Sequence, residues 1–222
     1  MINKFIFNNA TEAFEYLYDE ILNSGEKSEA DTLALFNVGF TILNPLDNII
    51  TTPWRKFNTK YADREWEWYL SQNRSVKELK KYASIWDKMH DPNDPNELVN
   101  SNYGYQWNRN NQLEKVINEL KNNPTTRHAV ITIYDGKEKD TYKYDTPCTL
   151  NICFYIRNNK LDMSVLMRSN DLIFGFCNDQ VQFSRLQKLV ADKLGIDVGT
   201  YFHYSTNLHI YPRHFNMKQL CE

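Results

Sequence analysis

Apolar positions at Phe14, Leu17 and Ile21 recur at the spacing of one helical face. Asn9 ahead of them can cap the helix, Glu12 completes the capping pair three residues later, and Gly25 marks its end. A second helix is expected over about residues 63–70. A third carries Leu113, Val116, Ile117 and Leu120 and ends before Pro124. The period then changes. Residues 129–134, 149–156 and 161–167 are rich in β-branched and aromatic side chains and read as strands. The last two are joined at Asn158-Asn159-Lys160, a hairpin signal. Residues 180–194 return to helical spacing, with Phe183, Leu186, Val190 and Leu194 on one stripe and Gly195 after it. Residues 201–211 are strand-like again. Helices flanking a mainly antiparallel or mixed sheet place the chain in the α+β class. No repeat or Gly/Ser/Pro-rich linker divides it, and the polar run Asp91-Pro92-Asn93-Asp94-Pro95-Asn96 reads as a surface loop. One domain spanning residues 1–222 is expected.

A hydrophobic fraction of 41%, with 14% aromatic residues, is enough for a real core. The net charge of -2, from 26 basic and 28 acidic residues, lacks the basic footprint of a nucleic-acid binder, so no direct DNA binding is expected. A few local arginines can still hold one phosphate. No apolar run reaches the length that crosses a bilayer, and Met1-Ile2-Asn3-Lys4-Phe5 lacks the apolar stretch of a secretory signal. The four cysteines, Cys148, Cys153, Cys177 and Cys221, have no CxxC spacing. Reduced thiols in a cytoplasm are therefore expected, and no metal site.

Several residues have the right type for chemistry, and each also has a plain reading. Cys148 after Pro147 is either a small buried hydrophobe or a nucleophile, which would need positive charge nearby to form a thiolate. Arg168-Ser169 suits a phosphate, or is an ordinary strand end. Asn178-Asp179 ahead of the long helix is a helix cap or a reader of a base edge. His209 and Tyr211 share a strand face and can serve a sugar hydroxyl or fill the core. Glu65 among large apolar side chains can transfer protons if burial raises its pKa, or simply lie on a solvated helix face.

Taken together these segments resemble the thymidylate synthase superfamily. Pro147-Cys148 is similar to its nucleophile motif, and Arg168-Ser169-Asn170-Asp171 followed by Gly175 to its R-S-x-D-x-x-x-G segment. His209-Ile210-Tyr211 is similar to its H-I-Y sugar motif, and Glu65 with Trp68-Tyr69 to its E-L-L-W-F helix. Tyr103-Gly104 with Gln106-Trp107 resembles Y-G-x-Q-W, and Ile85-Trp86-Asp87 resembles I-W-D. The matches run in the family's order from about Asp63 to Phe215. The resemblance implies a thymidylate synthase-like fold, with a mixed sheet flanked by helices and one sheet face at a homodimer interface. It implies a pyrimidine nucleoside monophosphate as substrate and 5,10-methylenetetrahydrofolate as co-substrate. Cys148 would add to C6 of the pyrimidine. Glu65 and Tyr103 would move protons. Asp179 and Asn178 would read the base, and Arg168, Ser169, His209 and Tyr211 the sugar and phosphate. Arg127 would reach the phosphate of a partner subunit. Asp171, Trp86 and Gly175 would line the folate pocket.

Departures from the synthases refine that expectation. Asp179 stands where they carry Asn. An ionised carboxylate accepts from a 4-amino group but cannot donate to O4, which suits cytosine. Thr149 replaces the usual His and Met167 the usual Gln. Met167-Arg168-Ser169-Asn170-Asp171, Phe174-Gly175-Phe176 and Asn100-Ser101-Asn102-Tyr103-Gly104 are all similar to the phage deoxycytidylate hydroxymethylases. In such an enzyme water quenches the methylene formed at C5, and the product is 5-hydroxymethyl-dCMP. A phage-encoded enzyme would act in the host cytoplasm. The family's arginine-bearing phosphate loop near the N-terminus has no clear match, and His128 stands where a second arginine is common. The sequence given stops at Glu222, and a missing C-terminal lid would favour water.

Overall fold

The computed structural model describes residues 5–221; Met1 to Lys4, most of the segment that lacks a secretory apolar stretch, and Glu222, which bears on the C-terminal lid, lie outside them. The helices are α1 (Ala10–Ser24), α2 (Thr59–Ser71), α3 (Tyr103–Asn108), α4 (Gln112–Asn122) and α5 (Cys177–Leu194). The strands are β1 (Ile6–Phe7), β2 (Glu26–Lys27), β3 (Leu33–Ile42), β4 (Val130–Thr132), β5 (Thr149–Arg157), β6 (Lys160–Met167), β7 (Asn170–Asp171) and β8 (Asp197–Ile210).

All eight join one sheet in the order β1-β3-β8-β6-β5-β4, with β2 added to β3 and β7 to β8. The β3–β8, β6–β5 and β5–β4 pairs are antiparallel, and β1–β3 and β8–β6 are parallel. The sheet is therefore mixed, as expected. On its inner face Phe40, Ile152, Met163, Val165 and Tyr201 are fully buried in the core, together with Phe14 and Ile21 of α1 and Phe183, Leu186 and Val190 of α5.

The outer face is different. Residues opposite one another in a sheet share a face. One row therefore runs Val130, Cys153, Ser164, Phe202, Thr41, and the next runs Thr132, Asn151, Leu166, Tyr204, Gly39. None of these is fully buried in the single chain, and Val130 is exposed.

Local chemistry explains where the elements begin and end. Asn9 caps α1 by accepting from the Glu12 backbone at 2.9 Å, while the Glu12 carboxylate returns to the Asn8 N–H at 2.6 Å, one residue ahead of the cap. Gly25 ends α1 in an extended conformation; a Cβ there would lie 2.3 Å from the Ile21 carbonyl, so close approach is what demands glycine. Asn158 and Asn159 have φ of 50° and 57°, the positive pair that a tight hairpin turn requires.

Some boundaries differ from the sequence expectation. Asn58 caps α2, which begins at Thr59, four residues before the expected start. α5 starts at Cys177, directly after a π-helical turn over Leu172–Phe176, so Asn178 and Asp179 lie inside its first turn and not before it. β8 begins at Asp197 and not at Tyr201. β3 and α3 were not read at all; the alternation of β3 is interrupted at Asn37, whose φ is 58°.

Candidate active site

Cys148 immediately precedes β5 and Arg168 immediately follows β6, and the Arg168 N–H donates to the Cys148 carbonyl at 2.8 Å. The guanidinium then folds over the loop that carries Cys148. Its Nε donates to Pro147 O at 3.0 Å and its Nη2 to Thr146 O at 2.8 Å, with Nη2 3.8 Å from Cys148 Sγ. This is the positive charge a thiolate needs. Burial nevertheless pushes the thiol up to about 11, against the pull of Arg168, with Asp179, Asp145 and Asp171 adding to the rise. In the free chain Cys148 therefore carries its proton at neutral pH.

Two carboxyls are buried nearby: Asp179, whose charge acts on Cys148, and Glu65, whose charge acts on Asp179. Glu65 on α2 accepts from Tyr61 Oη at 2.7 Å on one oxygen and from Gln182 Nε2 at 3.0 Å on the other. Trp86 Nε1 donates to Tyr61 Oη at 3.0 Å, and its ring packs edge-on against Trp68. Burial raises Glu65 to about 7, with both hydrogen bonds pulling the other way. Asp179 Oδ2 accepts from Asn170 Nδ2 at 2.7 Å. Burial, then the charge of Glu65, lifts Asp179 to about 8, and the Asn170 hydrogen bond opposes the rise. Its carboxyl is engaged by Asn170 of β7, so the simple reading of Asp179 as a helix cap gains no support. The charge argument for cytosine also changes, because a carboxyl titrating near 8 is largely neutral at pH 7.

Tyr103 opens α3 and its Oη accepts from the Thr149 N–H at 3.3 Å, one residue past Cys148. Its ring stacks on Phe183 at 5.8 Å. Gly104 makes this placement possible, since a Cβ there would lie 1.8 Å from the Tyr69 carbonyl of α2.

The opposite end of the site comes from β7, β8 and the π-helical turn. Asp171 pairs with His209 across β7–β8, and its Oδ1 accepts from the Ile173 N–H at 2.9 Å. His209 Nδ1 meets Asn207 Oδ1 at 2.9 Å, and its ring sits edge-on to Tyr211 at 5.3 Å. Ser169 is half-buried between Arg168 and β7. Asn178 donates to Phe174 O at 2.8 Å and keeps a buried Oδ1 without a partner. Gly175 lies against the Asn170–Asp179 pair: a Cβ would meet Asn170 Nδ2 at 3.0 Å and Asp179 Oδ2 at 3.7 Å. In place of an arginine-bearing loop, the segment before β3 brings Glu29 and Asp31, tied to β8 through Asn207 Nδ2 and Ser28 Oγ at 3.2 Å.

Arg127 is not brought to this site by its own chain. It is exposed and makes no ion pair among the described residues. Ala129 O accepts from Phe154 N, so Arg127 lies toward the Arg157 end of β5. Cys148 lies past the other end, six residues along the chain from Phe154 and so roughly 20 Å from it at about 3.3 Å per residue, and Arg127 is two residues farther out than Ala129. The residues that sequence reading missed are the partners of the two carboxyls: Tyr61, Gln182 and Asn170. Helical spacing held part of the signal, since Tyr61 is one turn before Glu65 and Gln182 three residues after Asp179. Among the described residues no group of three or more His, Cys, Asp or Glu is placed to hold a metal ion, and Cys148, Cys153 and Cys177 are free thiols. No helix among them is long and apolar enough to cross a membrane.

Comparison with known proteins agrees with this architecture. Residues 12–221 match the family model described as thymidylate synthase. The chain is 28% identical over 230 residues to thymidylate synthase 1 of Bacillus spizizenii, covering 97% of this chain and 78% of that protein. It is 32% identical over 228 residues to the deoxyuridylate hydroxymethyltransferase of Bacillus phage SP01, covering 91% of this chain and 58% of that one. It is 29% identical over 197 residues to the thymidylate synthase of Bacillus mojavensis, covering 84% and 69%. The chain belongs to the thymidylate synthase family. It is a transferase that moves a one-carbon unit from 5,10-methylenetetrahydrofolate to a pyrimidine nucleotide.

Proposed function

We propose that this enzyme converts dCMP to 5-hydroxymethyl-dCMP, with Cys148 as covalent nucleophile. The observation that carries the reading is Asp179, a buried acid held by Asn170 in the base pocket beside Glu65. A carboxyl offers cytosine an acceptor for its 4-amino group and a proton for N3. The folate supplies a one-carbon unit at the oxidation level of formaldehyde. Arg168 orients the Cys148 loop and opposes the thiol's burial, so that the thiolate forms as it adds to C6. C5 then takes up the one-carbon unit and gives up its proton as tetrahydrofolate leaves, so that a methylene stands at C5. Glu65 and Tyr103 handle the protons that leave and enter, and Glu65, near 7, is suited to do so in both directions. Water adds to the methylene at C5, and Cys148 departs. Trp86 and Asp171 would hold the folate; Trp86 fits because its indole is pinned through Tyr61 to Glu65.

The reading includes a homodimer in the reducing cytoplasm. Two incompletely covered rows on the outer sheet face support a second copy there. The distance of Arg127 from its own Cys148 supports its use in the partner's site. The identity to thymidylate synthases favours a second reading, in which the product is methylated. Incubation of dCMP, CMP and dUMP with methylenetetrahydrofolate, read by mass spectrometry, separates the two. A hydroxymethyl product from dCMP is expected. A methyl product, or turnover of dUMP alone, sinks the proposal.

A further inference from the structure

Resting on the assignment of Asp179 to the base, we propose that Asn170 is a positioning residue that makes Asp179 selective for cytosine, and that Gly175 is glycine to leave room for this contact. A largely neutral carboxyl does not discriminate by itself. It has one acceptor oxygen and one O–H, and it can place its proton on either oxygen. Cytosine offers a donor at the 4-position and an acceptor at N3. Uracil offers the reverse, an acceptor at O4 and a donor at N3. The same acid can therefore serve either base by moving its proton.

The Asn170 amide breaks that symmetry. Its Nδ2 donates to Oδ2 of Asp179 at 2.7 Å, so Oδ2 remains the acceptor and a proton on the group belongs on Oδ1. The contact is held on all sides. Asn170 is 2% exposed, in the short strand paired with Leu208 of β8. Its amide nitrogen lies 3.0 Å from where a Cβ of residue 175 would sit, closer than a side chain there would comfortably allow. The other end of the amide, Oδ1, is buried without a partner. That costs free energy which the Asp179 contact has to offset.

The test uses the intact enzyme and kcat/KM on dCMP and dUMP for the wild type, Asp179→Asn, Asn170→Ala, Asn170→Asp, Asn170→Ser and Gly175→Ala. Asn170→Ala is expected to lower the dCMP to dUMP ratio at least tenfold, on the scale of a site that loses one directing hydrogen bond. Asn170→Asp keeps the shape but, when ionised, has no donor, and should lower the ratio at least as far. Asn170→Ser restores a donor and should recover part of it. Gly175→Ala should lower it by a smaller factor. Unfolding midpoints identify any variant that fails to fold; the isosteric Asn170→Asp and Gly175→Ala then carry the test. If Asp179→Asn changes the ratio while every folded Asn170 variant leaves it unchanged, or lowers both substrates equally, this inference is overturned and the function stands. If the wild type ignores dCMP, or Asp179→Asn leaves the ratio intact, the assignment of Asp179 falls and takes this inference with it.

Discussion

At the base end of the site, each buried carboxyl has donors from its own chain: Tyr61 and Gln182 on Glu65, Asn170 on Asp179. At the phosphate end, the chain brings Arg168, whose fork is already spent partly on Thr146 and Pro147. Glu29 lies close enough to Tyr211 to oppose its ionisation, a sign that does not suit an anion. On the proposed reading, one end is complete in a single subunit and the other is completed by a second. The difference follows from what each end has to do. Reading a base depends on hydrogen bonds with fixed directions, which a packed core holds well. Binding a dianion depends on charge, which a second subunit can add at an interface without burying it in a core.

The largest effect should come from the shared centre of both ends. Cys148→Ala is expected to abolish turnover while dCMP binding stays measurable by calorimetry; turnover near wild type would refute the covalent mechanism. The protonated state of the thiol gives a companion measurement. Since burial holds it near 11, alkylation of the free enzyme by iodoacetamide should be slow at pH 7 and rise steadily toward pH 10. A rate already on its plateau at pH 7 would mean that Arg168 outweighs burial.

The contrast between a complete and an incomplete end is broken most directly by mixing subunits. Arg127→Ala should raise KM for the nucleotide by roughly 10- to 100-fold, as expected for one charge-assisted contact. Mixed with Cys148→Ala subunits, it should regain activity, because one of the two sites in a mixed dimer keeps both residues. An active monomer in sedimentation, or no recovery on mixing, would show that the phosphate end is completed within one chain.

At the base end, Asp179→Asn should lose activity on dCMP and gain relative activity on dUMP. Asn donates to O4 and accepts from N3–H, and a site built on a hydrogen bond rejects the mispaired base strongly. An unaltered ratio of the two kcat/KM values would return Asp179 to a purely structural role.

The two ends were not equally legible in the sequence. Cys148, Arg168 and His209 lie in or beside strands whose alternation is plain, and they could be named from short motifs. Asn170 sat in the same motif, but its role depends on a turn that folds it onto α5, and no periodicity announces a contact across a π-helical turn. Glu65 was visible, while Tyr61 was not, because the predicted helix began at residue 63 and left Tyr61 outside it. The strand β3 was missed because Asn37 interrupts its alternation at a left-handed residue. Arg127 could be named from a motif, but its distance from Cys148 needed the strand register. Long-range pairing is what sequence pattern carries least, and both the carboxyl partners and the sheet edge depend on it.

The smallest effect concerns stability, and it sharpens the same comparison, because the base end holds two buried carboxyls, Asp179 and Glu65, whose ionisation burial opposes. Asp179 has its folded-state pKa raised to about 8, from an ordinary value near 4. A group raised in this way contributes stability that is fully present below its unfolded pKa. That stability is lost as pH climbs through the folded value. Between about pH 4 and pH 8 the native wild type should therefore lose stability that an amide in the same place does not lose. Asp179→Asn keeps the size of the side chain and cannot ionise. Its stability relative to the wild type should rise from pH 5 to pH 9 by about 1–3 kcal/mol, a typical single-site effect. Denaturant unfolding of both proteins at the two pH values measures this. Glu65→Gln should show the same sign, with the change levelling off above about pH 7. Parallel stability curves for the wild type and Asp179→Asn would mean that water reaches the carboxyl and ionises it at no cost. The base pocket would then be as open as the phosphate end.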